Sequence, residues 1–387
     1  MSPKKLRLWT WLHTWSSLVC TVFMLLLCLT GLPLIFHHEI GHLLGTEVEA
    51  PAMRADAPRA SLDTVLANGQ ARAPGLVPTY VFQEPDQTDS WMVGFAPTPT
   101  AEQGTKAVVV DARTGQALGE PPTEEGFMYV MLKLHVDLFA GLPGKLFLGL
   151  MGLLMVAAIV SGVVLYAPFM RKLPFGAVRR DRSPRLKWLD MHNLLGVVTL
   201  SWALVVGLTG VVNTWADLVI KLWQFDQLSA VTAPYKAKPP PSALGSLQAA
   251  VSAAQRAEPG MRVGFVSFPG TDVSSPHHFA VFMRGTEPFS ARLFKPVLVD
   301  AQTSEVAAVL DLPWYVTALL VSQPLHFGDY GGRPMQILWA VLDVMTIVVL
   351  GSGLYLWFSR RRTREHRIAV AWGAIHADPE ALNRATP

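Results

Sequence analysis

The 387 residues are 51% hydrophobic and 16% charged, well below the roughly 25% charged content of soluble domains, which sets aside an ordinary soluble globular protein. A net formal charge of +3, with the basic residues gathered into short segments, supplies no broad nucleic-acid-binding face. The two cysteines, Cys20 and Cys28, share one apolar run, so neither a disulfide framework nor a cysteine-ligated metal cluster is expected.

Taken in chain order, four apolar runs stand out: Ser16 to Phe36, Leu146 to Met170, Leu194 to Ala216 and Met335 to Ser359. Each is long enough for a helix to cross a hydrocarbon core, which takes about 20 residues. Only the last carries a charge, Asp343. The first run is too long for a signal-peptide core and has no A-x-A-like site behind it, so an uncleaved span is expected. Basic residues cluster before the first run (Lys4, Lys5, Arg7), between the second and third (Arg171, Lys172, Arg179, Arg180, Arg182, Arg185, Lys187) and after the fourth (Arg360, Arg361, Arg362, Arg364, Arg367). The positive-inside rule places these three segments, and both termini, in the cytoplasm, so the two long connections lie outside the bacterial inner membrane, in a periplasm if the cell is Gram-negative.

The expected organisation is an integral membrane four-helix bundle built as an internal duplication. Transmembrane helix 1 occupies 1–44, an outer domain 45–134, helix 2 135–172 and a basic cytoplasmic loop 173–188. Helix 3 follows over 189–222, a second outer domain over 223–325, helix 4 over 326–360 and a cytoplasmic tail over 361–387. Within the connections, helix-like stretches at 61–71 and 243–257 precede alternating, strand-like runs at 79–84, 90–95, 278–284 and 291–299, giving a small α+β domain on each.

The duplication is read from spacing. His13 precedes Leu29-Thr30-Gly31 as His192 precedes Leu208-Thr209-Gly210, with histidine and glycine 18 residues apart in both. Leu134-His135 is followed by Gly141 and Ser161-Gly162, and Leu325-His326 by Gly332 and Ser352-Gly353, at identical offsets. The strings VVVDARTGQAL (108–118) and PVLVDAQTSEV (296–306) match as well. Both copies run in the same direction, so a two-fold axis along the membrane normal relates them, as in parallel repeats of transporters.

That axis pairs His13 with His192 near the cytoplasmic face and His135 with His326 near the outer face. Two imidazoles without a carboxylate or thiolate in register suit haem iron better than a structural zinc ion, so two b-type haems are expected, one per pair. Gly31, Gly162, Gly210 and Gly353 offer low-bulk helix surface for a flat macrocycle; each taken singly reads equally as close helix packing through small residues.

The L-H-x5-G motifs, the L-T-G spans and the V-D-A-x-T strings resemble the PepSY-associated transmembrane family. Up to about residue 360 the chain is similar to that family's siderophore-iron reductases of the FoxB type. The resemblance implies two PepSY-like periplasmic domains and a di-haem reductase that passes electrons to a periplasmic ferric siderophore, of hydroxamate or other type, releasing Fe(II). The electron donor is then another molecule, a quinol or a cytoplasmic reductase, because no nucleotide or flavin fingerprint is present. The alternatives are a haem protein with a quinol or protein partner, and a non-redox docking or signalling protein of PepSY type. Trp314, Tyr315, Tyr330 and Arg333 are candidates for contact with the substrate and equally for the interfacial belt facing membrane lipid.

Two features stand outside this frame. His38-Glu39-Ile40-Gly41-His42 reads H-E-x-x-H, a zinc-peptidase signature. It lacks a third-ligand motif and a counterpart in the third span, where Asp217 and Lys221 align with the histidines, so a peptidase is the least favoured reading. His37, His38 or His42 alternatively serves the outer haem or the substrate. Asp343 has Gly152 as its counterpart and so lies outside the shared framework. It either serves a propionate, a ligand or a proton, or is protonated and paired with a neighbouring helix.

Overall fold

The computed structural model describes residues 1–54, 56–85, 87–170, 176–179, 183–287 and 290–377, with backbone alone for 169–170, 329 and 361–377. Arg171, Lys172, Arg180 and Arg182, counted above for topology, lie outside the described residues, as do the side chains of Arg361, Arg362, Arg364 and Arg367. Twelve α-helices occur among the described residues. They are α1 (Pro3–Ile35), α2 (His37–Leu44), α3 (Leu62–Arg72), α4 (Gly126–Val136), α5 (Gly141–Met170), α6 (Pro184–Val198), α7 (Leu200–Thr214), α8 (Ala216–Trp223), α9 (Ser229–Thr232), α10 (Leu247–Ala257), α11 (Trp314–Phe327) and α12 (Gly332–Ala377). The eight strands among the described residues are β1 (Val77–Phe82), β2 (Ser90–Ala96), β3 (Lys106–Asp111), β4 (Ala117–Gly119), β5 (Arg262–Ser267), β6 (His278–Arg284), β7 (Phe294–Asp300) and β8 (Val306–Val309).

Three helices, α1, α5 and α12, are long and apolar enough to cross a membrane, and α6 with α7 makes a fourth span if the pair is taken as one. The protein is therefore a multi-pass membrane protein. The third apolar run is not one straight helix: α6 and α7 meet at 66°. The break falls at Thr199, whose hydroxyl donates back to the Leu195 carbonyl at 2.9 Å, a contact that bends helices by competing with the backbone ladder. Among the described residues α1, α5 and α12 share an apolar cluster in which Cys20, Met24 and Met151 are buried against Phe23, Leu27, Leu154, Met155 and Leu350.

The expected histidine-bearing starts of spans two and four are separate elements. His135 sits on α4 and His326 on α11, short lead-in helices that end at Val136 and Phe327 before α5 and α12 begin. The glycine six residues after each histidine explains the break. Gly141 (φ 59°) and Gly332 (φ 62°) take a backbone conformation costly for other residues and turn the chain into the span. In the first turn Leu138 and Phe139 share the left-handed region.

The eight strands form one antiparallel sheet in the order β4-β3-β2-β1-β5-β6-β7-β8. Each half is a helix followed by a four-stranded meander, and the halves meet where β1 pairs with β5, Val81 opposite Val266. The V-D-A-x-T strings close the last hairpin of each half. Asp111 Oδ1 accepts from the Arg113 and Thr114 amides at 2.7 and 2.9 Å, and Asp300 Oδ1 from the Gln302 and Thr303 amides at 3.0 and 2.9 Å. An aspartate that bonds its own turn is a strong local determinant of the hairpin.

The two halves of the sheet share a core. One hydrophobic core takes Leu62 and Val65 of α3, Leu247, Ala250 and Ala254 of α10, and inward residues of strands from both halves, including Val93, Val108, Val281 and Val297. The amphipathic helices each bury one stripe on the same sheet face. The helix starts also cap one another. Asp63 Oδ1 accepts from the amides of Leu247 and Gln248 at 2.7 and 3.3 Å, and Gln248 Oε1 accepts from the Leu62 amide at 3.0 Å. On β6 the alternation sends Phe279, Val281 and Met283 into this core. Ala280 and Phe282 enter a second cluster with Trp223, Leu228 and Val316 on the opposite face.

Candidate functional site

The chain divides into two compact units, one holding most of the spans (Met1–Leu32, Phe147–Leu208 and Ile337 onward) and one holding the sheet (Pro33–Leu146 and Thr209–Gln336). Two candidate histidines fall in each.

In the span unit, His13 on α1 faces α5. Its Nδ1 lies 2.9 Å from the Ala158 carbonyl oxygen, with Ser161 Oγ at 3.4 Å. A carbonyl only accepts, so Nδ1 carries the proton and Nε2 keeps its lone pair. His192 on α6 repeats the arrangement against α12: Nδ1 lies 3.0 Å from the Val349 carbonyl oxygen and 3.0 Å from Ser352 Oγ. Both serines spend their own protons on backbone, Ser161 on Ala157 (2.6 Å) and Ser352 on Val349 (2.8 Å), which leaves their oxygens free to accept from imidazole.

The neighbouring glycines hold these rings close. A Cβ on Gly162 would stand 3.1 Å from His13 Cε1, and one on Gly353 3.5 Å from His192 Cε1. What lies directly against these glycines is thus imidazole.

In the sheet unit, His135 on α4 and His326 on α11 have ring centres 6.2 Å apart with planes at 61°. His326 packs against α7, where Thr209 Oγ1 lies 3.4 Å from its Nδ1 and a Cβ on Gly210 would come within 3.0 Å of its Cε1. Gly31 and Thr30 lie near the end of α1, and Thr30 hydroxyl donates to the Leu26 carbonyl at 2.8 Å.

The H-E-x-x-H residues do not converge. His38 is clamped between two carboxylates, Nδ1 at 3.0 Å from Glu47 and Nε2 at 3.3 Å from Glu84. His42 pairs with Glu49 at 2.7 Å, and Glu39 lies 3.7 Å from Arg333. The His38–Glu84 hydrogen bond is the main reason the His38 imidazole is pushed up to about 9, and the same contact lowers the Glu84 carboxyl. Protonated imidazole has no lone pair for a metal, and no group of three or more metal-ligating side chains occurs among the described residues. The zinc-peptidase reading therefore lacks a site among the described residues.

Of the candidate contact residues, Trp314 is 81% exposed, Tyr315 donates to Asp226 at 3.2 Å, and Tyr330 is half-buried. Asp343 is buried and hydrogen-bonded with Cys28 of α1, the neighbouring-helix pairing, with Oδ2 unpartnered among the described residues. The sequence reading missed the His38 clamp, because Glu47 and Glu84 are unremarkable until the fold brings them together. It also missed the carbonyls of Ala158 and Val349, for which the matched Ser-Gly pairs three residues later were the available signal.

Residues 10–360 match the PepSY-associated TM region family, and the chain belongs to that family. It is similar to the uncharacterized protein PA4219 of Pseudomonas aeruginosa, 29% identical over 259 residues, which make up 60% of this chain. The match spans 63% of that relative's length.

Proposed function

We propose that this family member is an internally duplicated inner-membrane protein that holds two b-type haems and reduces a ferric siderophore at the periplasmic face, as the FoxB-type reductases it resembles do. The observation that carries the reading is the state of the histidines: two with Nδ1 committed to backbone, and two facing each other. The ring centres of His135 and His326 stand 6.2 Å apart, close enough that both imidazoles could hold one haem, which would supply one-electron redox chemistry there. For His13 and His192, the fit rests on the Nδ1–carbonyl bonds, the arrangement that directs Nε2 of a ligating histidine to a metal.

The protein's own groups have limited tasks. His13 and His192 would hold one haem and His135 and His326 the other. Ala158, Val349, Ser161 and Ser352 fix the imidazole tautomer and ring plane, and Gly162, Gly210 and Gly353 leave room for those rings. Bound haem supplies one-electron transfer between the two faces. At the outer face no acid–base group is required, because oxygen-donor chelators hold hard Fe(III) far more strongly than Fe(II) and one electron loosens the complex. The donor is a separate molecule, a quinol or a cytoplasmic reductase.

The test is a visible spectrum of the purified protein followed by reoxidation. A Soret band with sharp α/β bands on dithionite reduction is expected, and ferric siderophore added anaerobically returns the oxidised spectrum as Fe(II) appears in a ferrous trap. A colourless protein overturns the haem reading in favour of a docking protein. A coloured one that ferric siderophores leave reduced overturns the substrate and favours a quinol or protein partner.

A further inference from the structure

The span helix α7 ends at Thr214 and α8 begins at Ala216. An ion pair marks this join as a membrane boundary. Lys145 Nζ, near the start of α5, lies 2.7 Å from Asp217 Oδ2, and the two residues stand immediately outside the apolar runs that begin at Leu146 and end at Ala216. A charged pair that ties the ends of two spans belongs where hydrocarbon gives way to headgroups, because deeper burial would strip both ions of water. Trp215, exposed between the two helices, is the residue type enriched at that level.

Helix α8 leaves this boundary with two apolar faces. Val219 and Trp223 turn into the cluster that holds Ala280 and Phe282 of β6, and Leu228 joins them from five residues beyond Trp223. Five residues of α-helix place side chains about 140° apart, and a π turn over Gln224–Leu228 absorbs the difference. Leu218, Leu222 and Phe225, spaced by four and three residues, form a second stripe that the protein leaves open, with exposures of 43%, 49% and 83%. Leu208 of α7 and Trp215, both exposed, precede the stripe at spacings of seven and three, so the open line of apolar side chains starts within the span itself.

The duplicated framework does not require this stripe. With Asp217 and Lys221 aligned on His38 and His42, its counterparts in the first half are Glu39, Leu43 and Thr46, two of them polar. Large apolar side chains lined up on the open side of a helix that has already buried one face call for an apolar neighbour.

We propose that the open stripe of α8 lies in the lipid of the adjoining leaflet, at the boundary between headgroups and acyl chains, and that it holds the sheet to the membrane surface. Interfacial helices bury one apolar face at this depth. Lipid is the occupant because the stripe continues the exposed line of a span, and because the first turn of α8 is bonded to the end of a second span. This contact is independent of haem binding and of the reductase reading.

The experiment uses the full-length protein in lipid nanodiscs, with Leu222→Cys or Phe225→Cys labelled with the fluorophore NBD. The control is Arg256→Cys, an exposed position on α10, which packs on the opposite face of the sheet. Unsubstituted protein carried through the same labelling measures any reaction at Cys20 and Cys28. At 222 and 225 the emission is expected to shift to the blue, iodide quenching to fall several-fold below the control, and lipid carrying a doxyl group near its headgroup to quench the label. Position 256 should respond to iodide alone. Labels at 222 and 225 as open to iodide as the control, with far-UV circular dichroism retained, overturn the proposal. Labels shielded from iodide yet untouched by doxyl lipid overturn it in favour of a protein partner or a second copy on this face.

Discussion

His13 and His192 are each held by the backbone of another helix, through carbonyls at 2.9 and 3.0 Å. His135 and His326 are carried on short lead-in helices and lie against each other, with a threonine hydroxyl at 3.4 Å from one of them. In the first pair the ring orientation is set by span packing, before any ligand arrives. In the second the rings ride on helices that end at a turn, where Gly141 and Gly332 take positive φ. Under the proposed di-haem reading, one haem would be held from span helices and the other from lead-in helices.

The largest effect expected from breaking this comparison is on haem content. His192→Ala or His13→Ala removes the haem of the span-borne pair and leaves the other, so that pyridine haemochrome assays report half the wild-type content. His135→Ala and His326→Ala do the converse. Full content in all four variants would falsify the ligand assignment.

The glycines grade the next effect. Gly210→Ala and Gly162→Ala put a methyl 3.0 and 3.1 Å from an imidazole carbon, so each ring must move, whereas Gly353→Ala reaches ordinary contact at 3.5 Å. Haem retention on dialysis against apomyoglobin should fall clearly in the first two and little in the third. A smaller change is expected from Ser352→Ala, which deletes one of two acceptors at His192 Nδ1. A loss of about 0.5–1.5 kcal/mol in binding is expected, read as faster haem transfer and rescued in part by Ser352→Thr.

The least effect is a pH dependence confined to the sheet unit. The His38 imidazole, raised to about 9 by Glu84 and then Glu47, is charged in the folded state at pH values where the unfolded chain's histidine is neutral. Its contribution is fully present below about pH 6.5 and is lost as pH rises through about 9. Because the site is partly exposed, solvent screening keeps it under about 1 kcal/mol. Melting temperature should decline between these limits in the wild type and less steeply in His38→Gln; equal slopes would sink the clamp as a stabilising contact.

Much of this was legible in the sequence because it is local. The apolar runs became α1, α5, α7 and α12, the helix-like stretches at 61–71 and 243–257 became α3 and α10, and the alternating runs became β1, β2, β6 and β7 within a few residues. Matched offsets flagged the four histidines, since chance rarely repeats a spacing twice. What the sequence hid depends on tertiary pairing. A hydroxyl folding back at Thr199 bends an apolar run that hydropathy reads as straight. The merger of two halves rests on β1 meeting β5, which no local pattern specifies. Arg262 and Arg284 lie about 20 residues apart, and nothing in their neighbourhoods shows that they face one another until the register is known.

The β1–β5 seam bears on how the chain is made. β1 leaves the ribosome long before β5, and until Arg262–Ser267 arrives its outer row of amides and carbonyls has no partner in the sheet. A nascent half with a bare strand and the uncovered start of α3 is open to wrong pairing, with another copy of itself above all. The protein's biogenesis therefore places a premium on rapid synthesis of the second half or on a chaperone that shields the first.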